Sequence, residues 1–262
     1  MTVLRAALVQ TAPRFGEIEA NLAEALDRIP TGCDLAVLPE LCTTGYQFTG
    51  REELLALAEA VPDGPSCETL RRRAAATGTT IVAGLAERDG DRLFNTAVLV
   101  QPDGTVDRYR KIHLFWDEKL HFTPGDLGFP VFRACGTTVG LMVCFDWLFP
   151  EAAGTLARRG ARVIAHPSNL VLPHCPDAMP VRALENRVFT LTTNRVGTEH
   201  RGPQELRFIG RSVAASPHGE RLVEAGPDRV EVVSAELDLE LCDPFLTPRN
   251  HVVADRRPEF YG

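Results

Sequence analysis

Residues 140–151 read Gly-Leu-Met-Val-Cys-Phe-Asp-Trp-Leu-Phe-Pro-Glu. An apolar run ends on Cys144, a short turn follows, and Pro150-Glu151 opens a helical pattern from Glu151 to Arg159 that Gly160 closes. Proline suits the first turn of a helix and glycine the position just past its end. Thr138 to Cys144 therefore reads as a buried strand, and Arg162 to Ala165 as the next one. Strand, helix, strand in that order is the unit of an α/β fold.

The same style runs through both halves of the chain. Leu4 to Gln10 predicts a buried strand, and Glu17 to Ile29 sets Ile18, Leu22, Ala25, Leu26 and Ile29 on one helical face. Leu35 to Leu38 is a strand stopped by Pro39, which cannot donate to a sheet ladder. Helices are expected over Glu52 to Ala60 and Ser66 to Thr77, the second with Ser66 as N-cap and Gly78 past its end. Thr80 to Ala86, Phe94 to Gln101 and a run toward Tyr109 read as strands, and His113 to Arg133 as a long ordered loop. A helix over Ala178 to Arg187 and strands near 189–194, 211–216, 221–224 and 230–237 complete the pattern. No linker-like stretch divides it. One domain over residues 1–240 is expected, with 241–262 as a polar, proline-bearing tail that frays or docks on a neighbouring subunit.

Composition narrows the function. The chain has 262 residues, 44% hydrophobic and 24% charged, ordinary values for a globular protein. Its 28 Lys and Arg against 35 Asp and Glu leave a net charge of -7, so nucleic acid is not an expected partner. The first residues lack a basic segment leading into a long apolar run, and no stretch reaches the roughly 18 apolar residues that span a bilayer. A cytoplasmic protein with no membrane partner is the expectation. Seven cysteines, with no C-x-x-C pair, predict neither disulfides nor a zinc site. His166, His174 and Cys175 lack the spacing of common metal sites and are read as structural or pocket-lining.

Ligands of α/β folds gather beyond the carboxyl ends of strands, and Glu40, Lys111 and Cys144 all stand at strand exits. Singly, each has a plain explanation. Unpaired cysteines are usually small core hydrophobes, Lys111 sits in a basic run with Arg108 and Arg110, and Glu40 suits a loop carboxylate. Together they supply a reaction. A thiol with a pKa of about 8.5 needs a base or a neighbouring cation to react at neutral pH, and a glutamate and a lysine are those two groups. The Cys-Phe-Asp turn also leaves the Phe145 amide available to a developing oxyanion.

Leu38-Pro39-Glu40-Leu41, Arg110-Lys111-Ile112-His113-Leu114-Phe115 and the stretch around Cys144 resemble the three signature blocks of the nitrilase (carbon-nitrogen hydrolase) superfamily, in its order and separations. The resemblance continues through 122–126, 166–169 and 182–187, and covers roughly residues 3–240. It implies a four-layer α-β-β-α sandwich with the triad between the sheets: Glu40 as base, Cys144 as nucleophile, Lys111 and the Phe145 amide as oxyanion donors. It further implies Glu118 as a second glutamate that hydrogen-bonds the lysine, and no metal or organic cofactor. Tyr46, Trp147, Asn169 and His174 are weaker pocket candidates, and a homodimer or larger homo-oligomer is usual in the family. Asp146, two residues after the nucleophile, is more frequent in amidases and carbamoylases than in nitrilases. An amidase acting on a small aliphatic or carbamoyl amide is the leading expectation, a nitrilase the second, and a silent binding or scaffold protein the third. A Cys-His pair using His166 or His174 is a mechanistic alternative.

Overall fold

The computed structural model describes residues 3–261. In chain order the first half contains β1 (Val3–Gln10), α1 (Ile18–Asp27), β2 (Leu35–Val37), α2 (Arg51–Leu57) and α3 (Pro65–Thr77). It continues with β3 (Thr80–Asp89), β4 (Arg92–Val100), β5 (Val106–Arg110) and the single turn α4 (Glu118–His121). The second half contains β6 (Val131–Ala134), β7 (Thr137–Leu141), α5 (Pro150–Arg158), β8 (Val163–Pro167), α6 (Cys175–Asn186) and β9 (Phe189–Thr193). β10 (Val196–Glu199), β11 (Leu206–Ile209), β12 (Val213–Ala215), β13 (Arg221–Glu224) and β14 (Glu231–Asp238) follow.

Two six-stranded sheets form, in the orders β14-β1-β2-β3-β4-β5 and β13-β12-β9-β8-β7-β6. Each has a parallel centre, β1-β2-β3 in one and β7-β8-β9 in the other, with antiparallel strands outside it. Parallel strands covered on both faces read as nearly continuous apolar runs, which is why Leu4–Gln10 and Leu35–Leu38 are visible in the sequence. Within each strand the pleat still sorts the faces. Leu4, Ala6, Leu8, Leu35 and Val37 share a core with Val139, Leu141 and Leu191 of the second sheet. The alternate residues Ala7, Val9, Ala36 and Leu38 pack on Leu22 and Leu26 of α1 and on Leu70 and Ala74 of α3. The fold is the four-layer α-β-β-α sandwich, with α5 and α6 covering the second sheet.

β14 runs antiparallel along the whole of β1, from Val3 opposite Asp238 to Gln10 opposite Glu231, so a late strand closes the first sheet. Beyond it, residues 245–251 form a small hairpin that leaves Phe245 and Leu246 exposed.

Several local expectations need correction. The N-cap of α3 is Gly64, not Ser66, because Pro65 occupies the first helical position and moves the start back. The Ser66 hydroxyl instead donates to Glu59 Oε1 at 2.6 Å. The stretch 113–133 is not all loop: it holds α4 and β6, both too short to show a period. The β10–β11 ribbon lies between the strands expected near 189–194 and 211–216, where the sequence carries no expectation. Arg110 is not part of a solvated basic run; it is buried, with its guanidinium 2.6 Å from Glu87 Oε1.

Candidate active site

Glu40 follows β2 by three residues and is fully buried. Its Oε1 accepts from Asn95 Nδ2 at 2.6 Å and from Lys111 Nζ at 2.7 Å, while its Oε2 has no hydrogen-bond partner among the described residues. The carboxylate is thus anchored through one oxygen and free at the other.

Lys111 leaves β5 with its own N–H bonded to the Asn95 carbonyl at 2.8 Å, so Asn95 sets the lysine's backbone and the glutamate's side chain together. Gly125 crosses the same point, donating to the Lys111 carbonyl at 2.9 Å. A Cβ on Gly125 would lie 1.9 Å from the Arg110 carbonyl oxygen, so the Pro124-Gly125 crossing requires glycine.

Glu118 opens α4 and is nearly buried. Its Oε1 accepts from Lys111 Nζ at 2.8 Å and from the Tyr46 hydroxyl at 2.7 Å, and its Oε2 from the Phe115 N–H at 3.1 Å. Burial alone would lower the Lys111 pKa, but the two glutamates outweigh it and hold the ammonium above the ordinary lysine range. A buried lysine between two carboxylates is tolerable because each charge has a partner.

Cys144 begins a 3-10 turn, Cys144–Leu148, with φ of 40°, a left-handed backbone that non-glycine residues seldom adopt. Such strain persists where the surroundings fix it. Cys144 and Phe145 are the first residues of the turn, where N–H groups have no partner within the helix. The turn is locked from below by Asp146, whose Oδ2 accepts from Val143 N at 2.8 Å and from the Tyr109 hydroxyl at 2.7 Å. Its Oδ1 takes the His113 N–H at 3.2 Å and stands 2.7 Å from His113 Nδ1. Tyr109 and His113 flank Lys111, so Asp146 ties the cysteine turn to the segment carrying the lysine.

His166 Nε2 is 2.9 Å from the Cys144 carbonyl oxygen, and Nδ1 is 3.0 Å from Thr192 Oγ1. Burial pulls its pKa down to about 4, so the ring is neutral. A carbonyl can only accept, which places the single proton on Nε2. The imidazole therefore props the backbone of Cys144 and is not a partner for its thiol. Burial pushes the Cys144 thiol well above its usual range, Glu40 adds to the rise, and Lys111 only partly opposes it. At rest Cys144 is a thiol beside a carboxylate.

Phe115, Phe145, Trp147, Asn169 and Leu170 line a small cleft with Cys144. Asn169 is 3% exposed, and neither oxygen nor nitrogen of its side-chain amide has a partner among the described residues. Tyr46 and Glu118 line a neighbouring cavity together with Trp116 and Phe122. Glu40, Lys111, Glu118, Tyr46 and Cys144 are thus brought together, and Phe145, Trp147 and Asn169 surround the thiol. His174 is not: it is exposed at the N-terminal end of α6, outside the cleft. Asn95 went unread, although a lone amide inside the apolar strand Leu-Phe-Asn-Thr-Ala-Val-Leu-Val is a signal that the group has a buried partner.

A buried cysteine at a strained strand exit, a half-free carboxylate and a doubly held ammonium thus stand together at the ends of three strands. Residues 5–245 match the carbon-nitrogen hydrolase family, and the chain belongs to it. It is a hydrolase of the nitrilase superfamily. A "Nitrilase" of Pyrococcus abyssi is 49% identical over 264 residues, spanning 99% of both chains. An "(R)-stereoselective amidase" of Pseudomonas sp. is 38% identical, covering 89% of this chain and 84% of the relative. Among solved structures, a carbon-nitrogen hydrolase from Helicobacter pylori G27 superposes with a TM-score of 0.84 at 28% identity, over 99% of this chain and 97% of that one. An amidase from Nesterenkonia sp. gives 0.80 at 28%, over 98% and 94%.

Proposed function

We propose that this enzyme hydrolyses a small non-peptide amide, aliphatic or carbamoyl, through a thioester on Cys144. Glu40 Oε2 takes the thiol proton as sulfur adds to the carbonyl carbon, and Lys111 Nζ with the Phe145 N–H receives the oxyanion. The tetrahedral adduct collapses, the carbon-nitrogen bond breaks, and the proton on Glu40 passes to the departing nitrogen, releasing ammonia. Glu40 then takes a proton from water as hydroxide adds to the thioester carbon, the carbon-sulfur bond breaks, the sulfur of Cys144 recovers that proton from Glu40, and the acid departs. Thiol, carboxylate and ammonium fill every role, so no metal or organic cofactor is needed. Asn169 holds the substrate's polar end, and Tyr46 and Trp147 shape the acyl side.

The observation that carries this reading is Glu40 itself: one oxygen pinned by Lys111 and Asn95, the other unpartnered, and the carboxylate close enough to the thiol to raise its pKa. A second reading, nitrile hydrolysis through the same cysteine, is favoured by the 49% identical relative named a nitrilase. The exposed Val181 and Leu184 on α6, with Phe245, Leu246, Phe260 and Tyr261 in residues 241–262, support a homodimer or larger homo-oligomer in which the tail docks on its partner. Light scattering on a gel-filtered sample tests that part. The chemistry is tested with matched amide and nitrile pairs, measuring ammonia and trapping the adduct by intact mass. Amide turnover with an acyl group on Cys144 is expected. Turnover of nitriles alone overturns the first reading, and no turnover at all leaves the scaffold alternative standing.

A further inference from the structure

The β10–β11 ribbon carries a buried ion pair that the proposed chemistry does not use. Arg195 and Glu199 are 2% and 6% exposed, and Arg195 Nη1 hydrogen-bonds Glu199 Oε1. The arginine is fixed on its other sides: Nη2 donates to the Pro13 carbonyl at 2.9 Å, and the guanidinium lies 4.0 Å from the centroid of the Phe208 ring. Burying two charges is costly unless both are fully satisfied, so what the carboxylate's remaining lone pairs hold is informative.

They hold the backbone of the loop after Glu40. Tyr46 N–H lies 3.2 and 3.1 Å from the two Glu199 oxygens, and Gln47 N–H donates to Oε2 at 2.6 Å. The approach is tight: Gly45 has φ of +82°, and a Cβ there would meet Glu199 Oε1 at 3.1 Å and the Phe15 backbone at 3.0 Å. Arg201 completes the clasp, its N–H donating to Gln47 Oε1 at 2.7 Å. From that anchored backbone the Tyr46 ring reaches inward, edge-on to Phe208, and its hydroxyl donates to the same Glu118 oxygen that accepts from Lys111.

We propose that Glu199, oriented by Arg195, is a positioning residue: it sets Tyr46, and through Tyr46 it fixes Glu118 and the lysine that receives the oxyanion. Charge suits the task better than a neutral acceptor, because a carboxylate takes two adjacent backbone N–H groups and a guanidinium at once. Residues 153 positions apart in sequence are joined by it, and small displacements at an oxyanion donor are costly in rate.

This inference rests on the hydrolase reading for its kinetic arm, and a second readout separates the two. Glu199→Gln and Glu199→Asp are made in the wild-type and in the Tyr46→Phe background. The aspartate keeps the charge and the arginine pair while withdrawing from the Tyr46 N–H, so it carries the test if the glutamine variant does not fold. In the wild-type background kcat/KM is expected to fall about ten- to a hundred-fold. In the Tyr46→Phe background, where the hydroxyl is already absent, the further loss is expected to stay under about two-fold. Equal losses in both backgrounds, or none in the first, overturn the proposal. The chain has 3 tyrosines, so 3-fluorotyrosine labelling gives a countable fluorine spectrum in which Tyr46→Phe assigns one line. That line moves in the Glu199 variants while the Tyr109 line holds. If the wild type hydrolyses nothing, the hydrolase reading has failed and this line alone decides; an unmoved Tyr46 line overturns the positioning role.

Discussion

Lys111→Met separates electrostatic from steric explanations of the site. Lys111, Glu40 and Glu118 are all buried, and the ammonium touches one carboxylate at 2.7 Å and the other at 2.8 Å. Removing the cation leaves two carboxylates whose facing oxygens are at most about 5.5 Å apart, since both reach one nitrogen. At an effective dielectric of about 20, their repulsion is about 3 kcal/mol. The chain escapes by keeping one carboxyl protonated, and that repulsion pushes its titration upward. The sign follows directly. A carboxyl whose folded pKa is raised contributes stability that is present at low pH and lost as pH rises through the folded value. The variant should therefore melt about 6–12 °C below wild type at pH 8, taking 2–4 °C per kcal/mol, and the gap should close substantially by pH 5. Thermal unfolding followed by circular dichroism at pH 5, 6, 7 and 8 measures it. A gap of the same size at every pH would mean that methionine merely packs badly, and that Lys111 is not neutralising its two neighbours.

Glu40→Gln keeps the shape of the proposed base and leaves Lys111 paired with Glu118, so the melting temperature should hold within a few degrees while kcat falls about 10²- to 10⁴-fold. Asn95→Leu removes a donor to Glu40 Oε1 together with an Asn95 Oδ1 that is buried without a partner, so urea unfolding should change by under about 1 kcal/mol while kcat drops. Tyr109→Phe strips one of the donors on Asp146 Oδ2 and the acceptor of the Ile112 N–H, and should cost about 1–3 kcal/mol in urea unfolding.

How legible the site is in the sequence depends on how its residues are held. Glu40, Lys111 and Cys144 stand where strands stop, and strand stops are written locally: a proline after Leu38, a helix start after Phe149, the end of an alternating run at Arg110. The supports are written nowhere near what they support. Asn95 lies 55 residues from Glu40, and Glu199 lies 153 from Tyr46, on a ribbon whose four-residue strands are too short to show a period. Asp146, by contrast, stands in sequence next to what it supports. It follows Cys144 by two residues, and its two oxygens are occupied by Val143, Tyr109 and His113, beneath the turn. An aspartate there sets how far the cysteine turn stands from the lysine segment; a longer glutamate at the same place would have to push the two apart. Beside the thiol the polar atoms still unclaimed among the described residues are Glu40 Oε2 and the amide of Asn169, and in the proposed reading the first takes the proton while the second is left to meet the substrate.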